Sequence, residues 1–227
     1  MRIIDSMTKW LFILCLPILL ITASIGWVVN NLWLYENGFE KYQISQKTGL
    51  AKEELNKAAK GLIGYFNSDE KYISLTVLRE GQPFELFNQR EVVHLKDVKE
   101  LIWFDYRMLL STLIYILGYA GVNLFRRNWQ RLTRVIFGGS VLTLTLMLIL
   151  LLGALLDFEQ LFWQFHLISF ANDFWQLNPV TDYLIMLFPQ GFWYDVSLFI
   201  GLITAGLAVF LGGGATLYFK IAQKPTS

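Results

Sequence analysis

The chain has 227 residues, 55% of them apolar, a mean hydropathy of +0.44 and a formal net charge of +1. That composition excludes an ordinary water-soluble enzyme and points to a protein that crosses a membrane several times. A single cysteine excludes an internal disulfide framework and a cysteine-based zinc site, and no nucleic-acid-binding pattern is present.

Four charge-free runs are long enough to cross roughly 30 Å of hydrocarbon at about 1.5 Å per helical residue: Trp10–Leu34, Met108–Phe125, Val135–Leu156 and Val196–Phe219. The first run holds 25 uncharged residues, too many for the apolar core of a secretory signal, and is read as a retained span. Leu14 precedes Cys15 where a lipoprotein signal needs a small residue, so Cys15 is read as packing.

Residues 35–107 follow as a water-facing cap of mixed charge, with ten basic and twelve acidic side chains between Tyr35 and Asp105. Thr48 is expected to cap a helix whose apolar face is Leu55, Ala58, Ala59, Leu62 and Phe66, and Asn67-Ser-Asp-Glu70 to end it. Tyr72–Leu78, a turn at Gly81-Gln-Pro83 and Phe84–Phe87 suggest a short hairpin. Asn88 followed by Glu91 resembles a capping pair, and the helix it opens sets His94, Val98 and Leu101 in one stripe. Asp97 lies within reach of the His94 ring, and Lys96 and Lys99 are expected to turn toward water. If this helix ran straight into the second span, His94 would stand about 20 Å above Arg107. A bend near Trp103–Tyr106 is therefore expected, with 91–102 lying along the membrane surface.

Residues 108–156 hold the second and third spans with a short turn between them that carries Arg126, Arg127, Arg131 and Arg134. Segment 157–195 carries five acidic residues and no Lys or Arg, and 12 of the 37 residues from Phe158 to Tyr194 are aromatic, seven of them Phe. Interfacial belts favour Trp and Tyr, so the Phe content suggests a pocket wall. On a helix starting near Phe158, His166 shares a face with Phe162, Ser169, Phe170 and Asp173. Asn178-Pro179 is expected to open a second short helix that Pro189-Gln-Gly191 ends. Residues 196–227 form the last span and a tail, with Gly201, Gly206 and Gly212–Gly214 expected to permit close helix packing.

The arginines place the inner turn in the cytoplasm, and Arg2, Lys9, Lys220 and Lys224 put both termini there. The expected fold is an all-α membrane protein of four transmembrane helices with a small α+β extracellular cap. Domain limits are residues 1–34 for the first helix, 35–107 for the cap, 108–156 for the middle pair, 157–195 for the aromatic segment and 196–227 for the last helix. The only two histidines, His94 and His166, then fall on one membrane face, each with an aspartate in helical reach. Imidazole is the side chain whose unperturbed pKa suits proton transfer near neutrality. Either histidine alone reads as a satisfied structural group; as a pair they form a candidate acid–base site. No His-x-x-x-His or His-Glu pair at ligand spacing favours a metal, and none is expected.

At these residues the chain resembles the bacterial lipoprotein intramolecular transacylases. The likeness rests on His-Leu-Lys-Asp-Val-Lys (94–99), Phe-His-Leu-Ile-Ser-Phe-Ala-Asn-Asp-Phe-Trp-Gln-Leu-Asn-Pro (165–179) and Phe-Pro-Gln-Gly-Phe-Trp-Tyr-Asp (188–195), set between spans in the family's order. The resemblance implies a multi-pass enzyme of the bacterial cell membrane, its site on the extracellular side. Its partners would be membrane lipids and a diacylglyceryl-modified lipoprotein in the outer leaflet. The sn-2 acyl chain would move to the α-amino group of the amino-terminal cysteine, with His94 and His166 as catalytic residues and no cofactor. Asp97 and Asp173 are candidates for orienting the imidazoles and Asn172 for donating to an oxyanion. Phe165, Phe170, Phe174, Trp175 and Tyr106 would enclose the substrate. Arg107 would hold a carbonyl or pair with an aspartate, the pair being expected. A non-enzymatic membrane protein with a partner-binding cap, and a lipid hydrolase or intermolecular acyltransferase, are the competing readings.

Overall fold

The computed structural model describes residues 2–222, and their side chains from 4 to 218; the side chains of Arg2 and Lys220, and Lys224, lie outside the described residues. In chain order the elements are α1 (Arg2–Val29), α2 (Leu32–Lys41), α3 (Ile44–Thr48), α4 (Lys52–Phe66), β1 (Thr76–Arg79), β2 (Gln82–Glu85), α5 (Gln89–Phe125), α6 (Trp129–Ser169), α7 (Tyr183–Leu187) and α8 (Gln190–Ala222). They form two compact units. A four-helix unit takes Met1–Ile25, Asp105–Gly153 and Leu198–Ser227, and a histidine-bearing unit takes Gly26–Phe104 and Ala154–Ser197.

Parts of α1, α5, α6 and α8 build the four-helix unit, and each of these helices has the length and apolarity to cross a membrane. Its centre is Phe12, Leu16 and Leu20 of α1 with Ile116 and Tyr119 of α5, Leu132 and Val135 of α6 and Ala208 of α8. Cys15 is part-buried against that cluster, in keeping with a packing role. Between apolar helices the driving term is close packing and interhelical hydrogen bonding. The Tyr115 hydroxyl donates to the Thr8 carbonyl at 2.7 Å, and buried Thr204 donates to Ser24 at 3.0 Å. A Cβ on Gly212 would lie 2.9 Å from that of Ser140, so there a glycine is required for approach. Gly201, Gly206, Gly213 and Gly214 face open space, and the close packing expected of the whole glycine set is confined to Gly212.

The α1 helix ends at Val29, five residues before the expected end of the first span. The Asn30 amide donates to the Gly26 carbonyl, and the Asn31 side chain accepts from Trp33 N to cap α2, so the asparagine pair halts one helix and opens the next. Helix α5 runs unbroken from Gln89 to Phe125, with Trp103–Tyr106, where a bend was expected, inside it. No Gly or Pro occurs between Gln89 and Leu117 to interrupt its hydrogen bonds. At 37 residues α5 is about 55 Å long, far more than a bilayer core requires. Its charge-free part is 108–125, and residues 89–107 extend beyond that stretch.

In the histidine-bearing unit α2 packs on α3 and α4, α3 on α7, and α4 on β1. The expected apolar face of α4 is buried at Leu55, Ala58, Ala59, Leu62 and Phe66. Thr48 does not cap that helix; it ends α3, donating to the Ile44 carbonyl, and Ala51 takes the cap position. In the hairpin, Leu78 pairs with Pro83 and Arg79 with Gln82. The turn is therefore Glu80-Gly81, both in the left-handed region with φ of 52° and 77°, one residue earlier than expected. Pro83 is tolerated inside β2 because a two-stranded sheet has only edges. Asp157 leaves helical geometry with φ −159°, and its side chain accepts from Gln160 N at 2.9 Å. That restarts the helix at Phe158, as expected from sequence. The second short helix begins at Tyr183, after a turn at Asn178–Thr181, and Gln190 opens α8.

Candidate active site

His94 lies on the second turn of α5 and His166 on the last turn of α6, and both are buried. Their ring centroids are 6.2 Å apart. Phe170 touches both, 5.0 Å from His94 and 5.5 Å from His166, while Phe162, Trp175 and Phe165 lie 4.4, 5.0 and 5.4 Å from His166. Trp163 packs edge-on against Trp175 at 4.7 Å, so the wall has a second layer.

The ring nitrogens differ in environment. Nδ1 of His166 is 2.7 Å from the Phe162 carbonyl oxygen, an acceptor only, so Nδ1 carries the proton and neutral Nε2 holds the lone pair. Nδ1 of His94 is buried with no hydrogen-bond partner among the described residues. An orphaned buried N–H is rarer than an orphaned acceptor, which favours the tautomer with the proton on Nε2. Burial, and then repulsion from His166, push the His94 pKa down to about 4, with Asp97 opposing. Burial also lowers that of His166, against the pull of the Phe162 carbonyl. Both imidazoles are held neutral near pH 7.

Asp97 and Asn172 meet: the Asn172 amide donates to Asp97 Oδ2 at 2.7 Å, tying the loop after α6 to α5. Asp97 therefore acts on His94 through charge and through this tie rather than by a bond to its ring. The Asn172 amide NH2 already serves Asp97, and its Oδ1 accepts from Phe174 N. Asp173 is exposed and accepts from the Gln176 amide. Phe174 is exposed beside the Arg90 guanidinium. Tyr106 and Arg107 belong to the four-helix unit, 12 and 13 residues along α5 from His94.

Two features escaped the sequence reading. Lys99, expected in water, is buried; it donates to the Glu70 carbonyl at 2.6 Å and lies 4.3 Å over the Tyr65 ring. Its four-carbon stem crosses apolar surface so that the ammonium closes the loop after α4. The second is a buried carboxylate clamp beside His94. Glu91 completes the expected capping box by accepting from Asn88 N, and its other oxygen accepts from Leu184 N at 2.6 Å. Asp182 accepts from the Asn88 amide, the Thr181 hydroxyl and Asn178 N. The clamp thereby fixes the start of α7 to the first turn of α5, one turn from His94. Asn88 and Glu91 were legible as a cap; Asp182, 94 residues away from Asn88, carried no local signal.

A family model for the lipoprotein intramolecular transacylase Lit matches residues 10–193. The chain belongs to that family. It is thus a multi-pass membrane protein of lipoprotein maturation, and its family is one of acyltransferases. An uncharacterised protein of Aquifex aeolicus (strain VF5) is 29% identical over 198 residues, covering 84% of this chain and 85% of its own. The solved Lit of Bacillus cereus superposes with a TM-score of 0.82 over 98% of each chain at 21% identity. A histidine-to-alanine variant of that enzyme gives 0.79 at 20% identity, over 97% of this chain and 96% of its own. At these identities the solved structures show that the fold is shared.

Proposed function

We propose that this Lit-family protein moves the sn-2 acyl chain of a diacylglyceryl-cysteine to the α-amino group of the same cysteine, with His166 as base and then acid and His94 as hydrogen-bond donor to the oxyanion. The observation that carries this reading is two buried imidazoles 6.2 Å apart among aromatic rings, with Nδ1 of His166 against the Phe162 carbonyl. The α-amine, with a pKa near 7.7–8, attacks the ester carbonyl as Nε2 of His166 takes its proton. The tetrahedral oxyanion accepts from Nε2–H of His94. The bond from the carbonyl carbon to the glyceryl oxygen then breaks, and that oxygen takes up the proton held on Nε2 of His166. One ester is lost, one amide is formed, and no proton is gained or lost overall.

Because donor and acceptor are one molecule, holding them in register can supply about 7–11 kcal/mol of the barrier. Phe165, Phe170, Phe174 and Trp175 serve that purpose and keep out water, which would otherwise hydrolyse the ester. Tyr106 and Arg107 are proposed to contact the substrate's lipid portion. Asp97 and Asn172 hold the two segments together, and Asp173 has no part on this reading beyond its turn. The charge pattern supports an inner arginine turn and an outer histidine-bearing unit.

The test is expression in a bacterium that lacks lyso-form lipoproteins, followed by mass spectrometry of lipoprotein amino-terminal peptides. One acyl chain should appear on nitrogen and one glyceryl position should be free. His94→Ala and His166→Ala should each lower this conversion at least about 100-fold with the protein still in the membrane. Loss of a chain without N-acylation would identify a hydrolase instead.

A further inference from the structure

The second cluster of polar groups lies in the four-helix unit. Asp5, Lys9, Asn128, Gln130, Arg131 and Arg134 line a cavity of about 430 Å³ at the arginine-rich turn. Three cations there meet one carboxylate. Arg131 is committed: its guanidinium donates to the Asp5 carboxylate, to the Asp5 carbonyl at 2.7 Å and to the Tyr119 hydroxyl at 2.9 Å. The Asp5 charge is thereby paired with Arg131, which leaves the other two cations of the lining in excess. Lys9 and Arg134 make no ion pair among the described residues.

Their level in the chain identifies the ligand. Lys9 directly precedes the charge-free run that starts at Trp10, and Arg134 directly precedes the run that starts at Val135. Both cations thus stand where hydrocarbon gives way to headgroups. Trp10 and Trp129, both exposed, mark the same boundary, as indole rings do. A basic cavity between helices at that depth suits the phosphate of a lipid.

We propose that this cavity binds the phosphodiester headgroup of an anionic glycerophospholipid, with Lys9 and Arg134 pairing with the phosphate and Asn128 and Gln130 bonding the glycerol end. Arg131 is the fixed strut that shapes the cavity.

The experiment is native mass spectrometry of the full chain in detergent, titrated with phosphatidylglycerol, phosphatidylcholine or inorganic phosphate. Phosphatidylglycerol should bind with one preferred site and phosphatidylcholine at least about tenfold more weakly. Lys9→Gln combined with Arg134→Gln should lower phosphatidylglycerol affinity about tenfold, while Arg126→Gln combined with Arg127→Gln, an equal charge loss at the same turn, should leave it within about twofold. If the first pair proves unstable, Arg134→Gln alone should still cost about threefold. Equal loss in both double variants would reduce the effect to diffuse charge and overturn the site. Unchanged affinity in the Lys9 and Arg134 variants would overturn it as well. Displacement of the lipid by millimolar inorganic phosphate would assign the cavity to free phosphate and sink the lipid assignment.

Discussion

At the scale of single residues, the pH response follows from groups buried against their charge. His94 titrates at about 4, and burial lowers His166 as well. Both stay neutral as the medium falls below the usual imidazole value near 6.5. The substrate amine, at about 7.7–8, then controls the accessible range. The expected profile of kcat/KM rises with pH to about 8 and shows no inflection near 6.5; a clear acid limb at 6.5 would mean that the imidazoles are solvated and the proposed pair is not formed. Asp105 has the opposite sign. It is buried, one carboxylate oxygen has no partner among the described residues, and burial raises its pKa to about 6. A raised folded-state pKa gives stability that is full below the unfolded value near 3.8 and lost as pH climbs through about 6. Asp105→Asn removes that loss. Its melting temperature should exceed the wild type's by a margin that widens between pH 5 and pH 8, and a constant margin would contradict the assignment.

Among the elements, the site depends on how α5, α6 and α7 are joined more than on any one helix. Glu91 fills two backbone donors, the buried Leu184 N and the part-buried Asn88 N. Leaving a buried donor unpaired costs about 1–3 kcal/mol. Glu91→Ala strands the buried Leu184 N and should lower stability by about 1–3 kcal/mol, whereas Glu91→Gln keeps one oxygen acceptor and should lose less. Chemical denaturation in micelles checks the order. Both variants should also slow turnover at temperatures where they remain folded, because the clamp sits one turn from His94. A variant that loses stability with unchanged turnover would confine the clamp to folding. Gly38 offers a second handle: a Cβ there would come within 2.4 Å of the Phe192 ring. The expected result of Gly38→Val is a loss of stability with displacement of α2 from that ring, measurable by the same denaturation.

For the whole molecule, what could be read from sequence was what charge and hydropathy report without help from distant residues. The four apolar helices, the arginine turn, the apolar face of α4 and the restart at Phe158 are local patterns. The Asp182 clamp and the burial of Lys99 depend on partners far away along the chain. The continuity of α5 is local as well, since residues 99–107 contain no Gly or Pro that would break a helix. Orientation rests on the same local charge pattern and is open to direct measurement. Cys15 is the only cysteine, so Cys15→Ser gives a background without thiols. Lys60 in the histidine-bearing unit and Arg126 at the arginine turn are both exposed. In that background, Lys60→Cys should react with a membrane-impermeant maleimide on intact cells, and Arg126→Cys only after the membrane is opened. The reverse pattern would put both histidines in the cytoplasm, on the wrong face for a lipoprotein anchored in the outer leaflet, and the proposed reaction would fail with it.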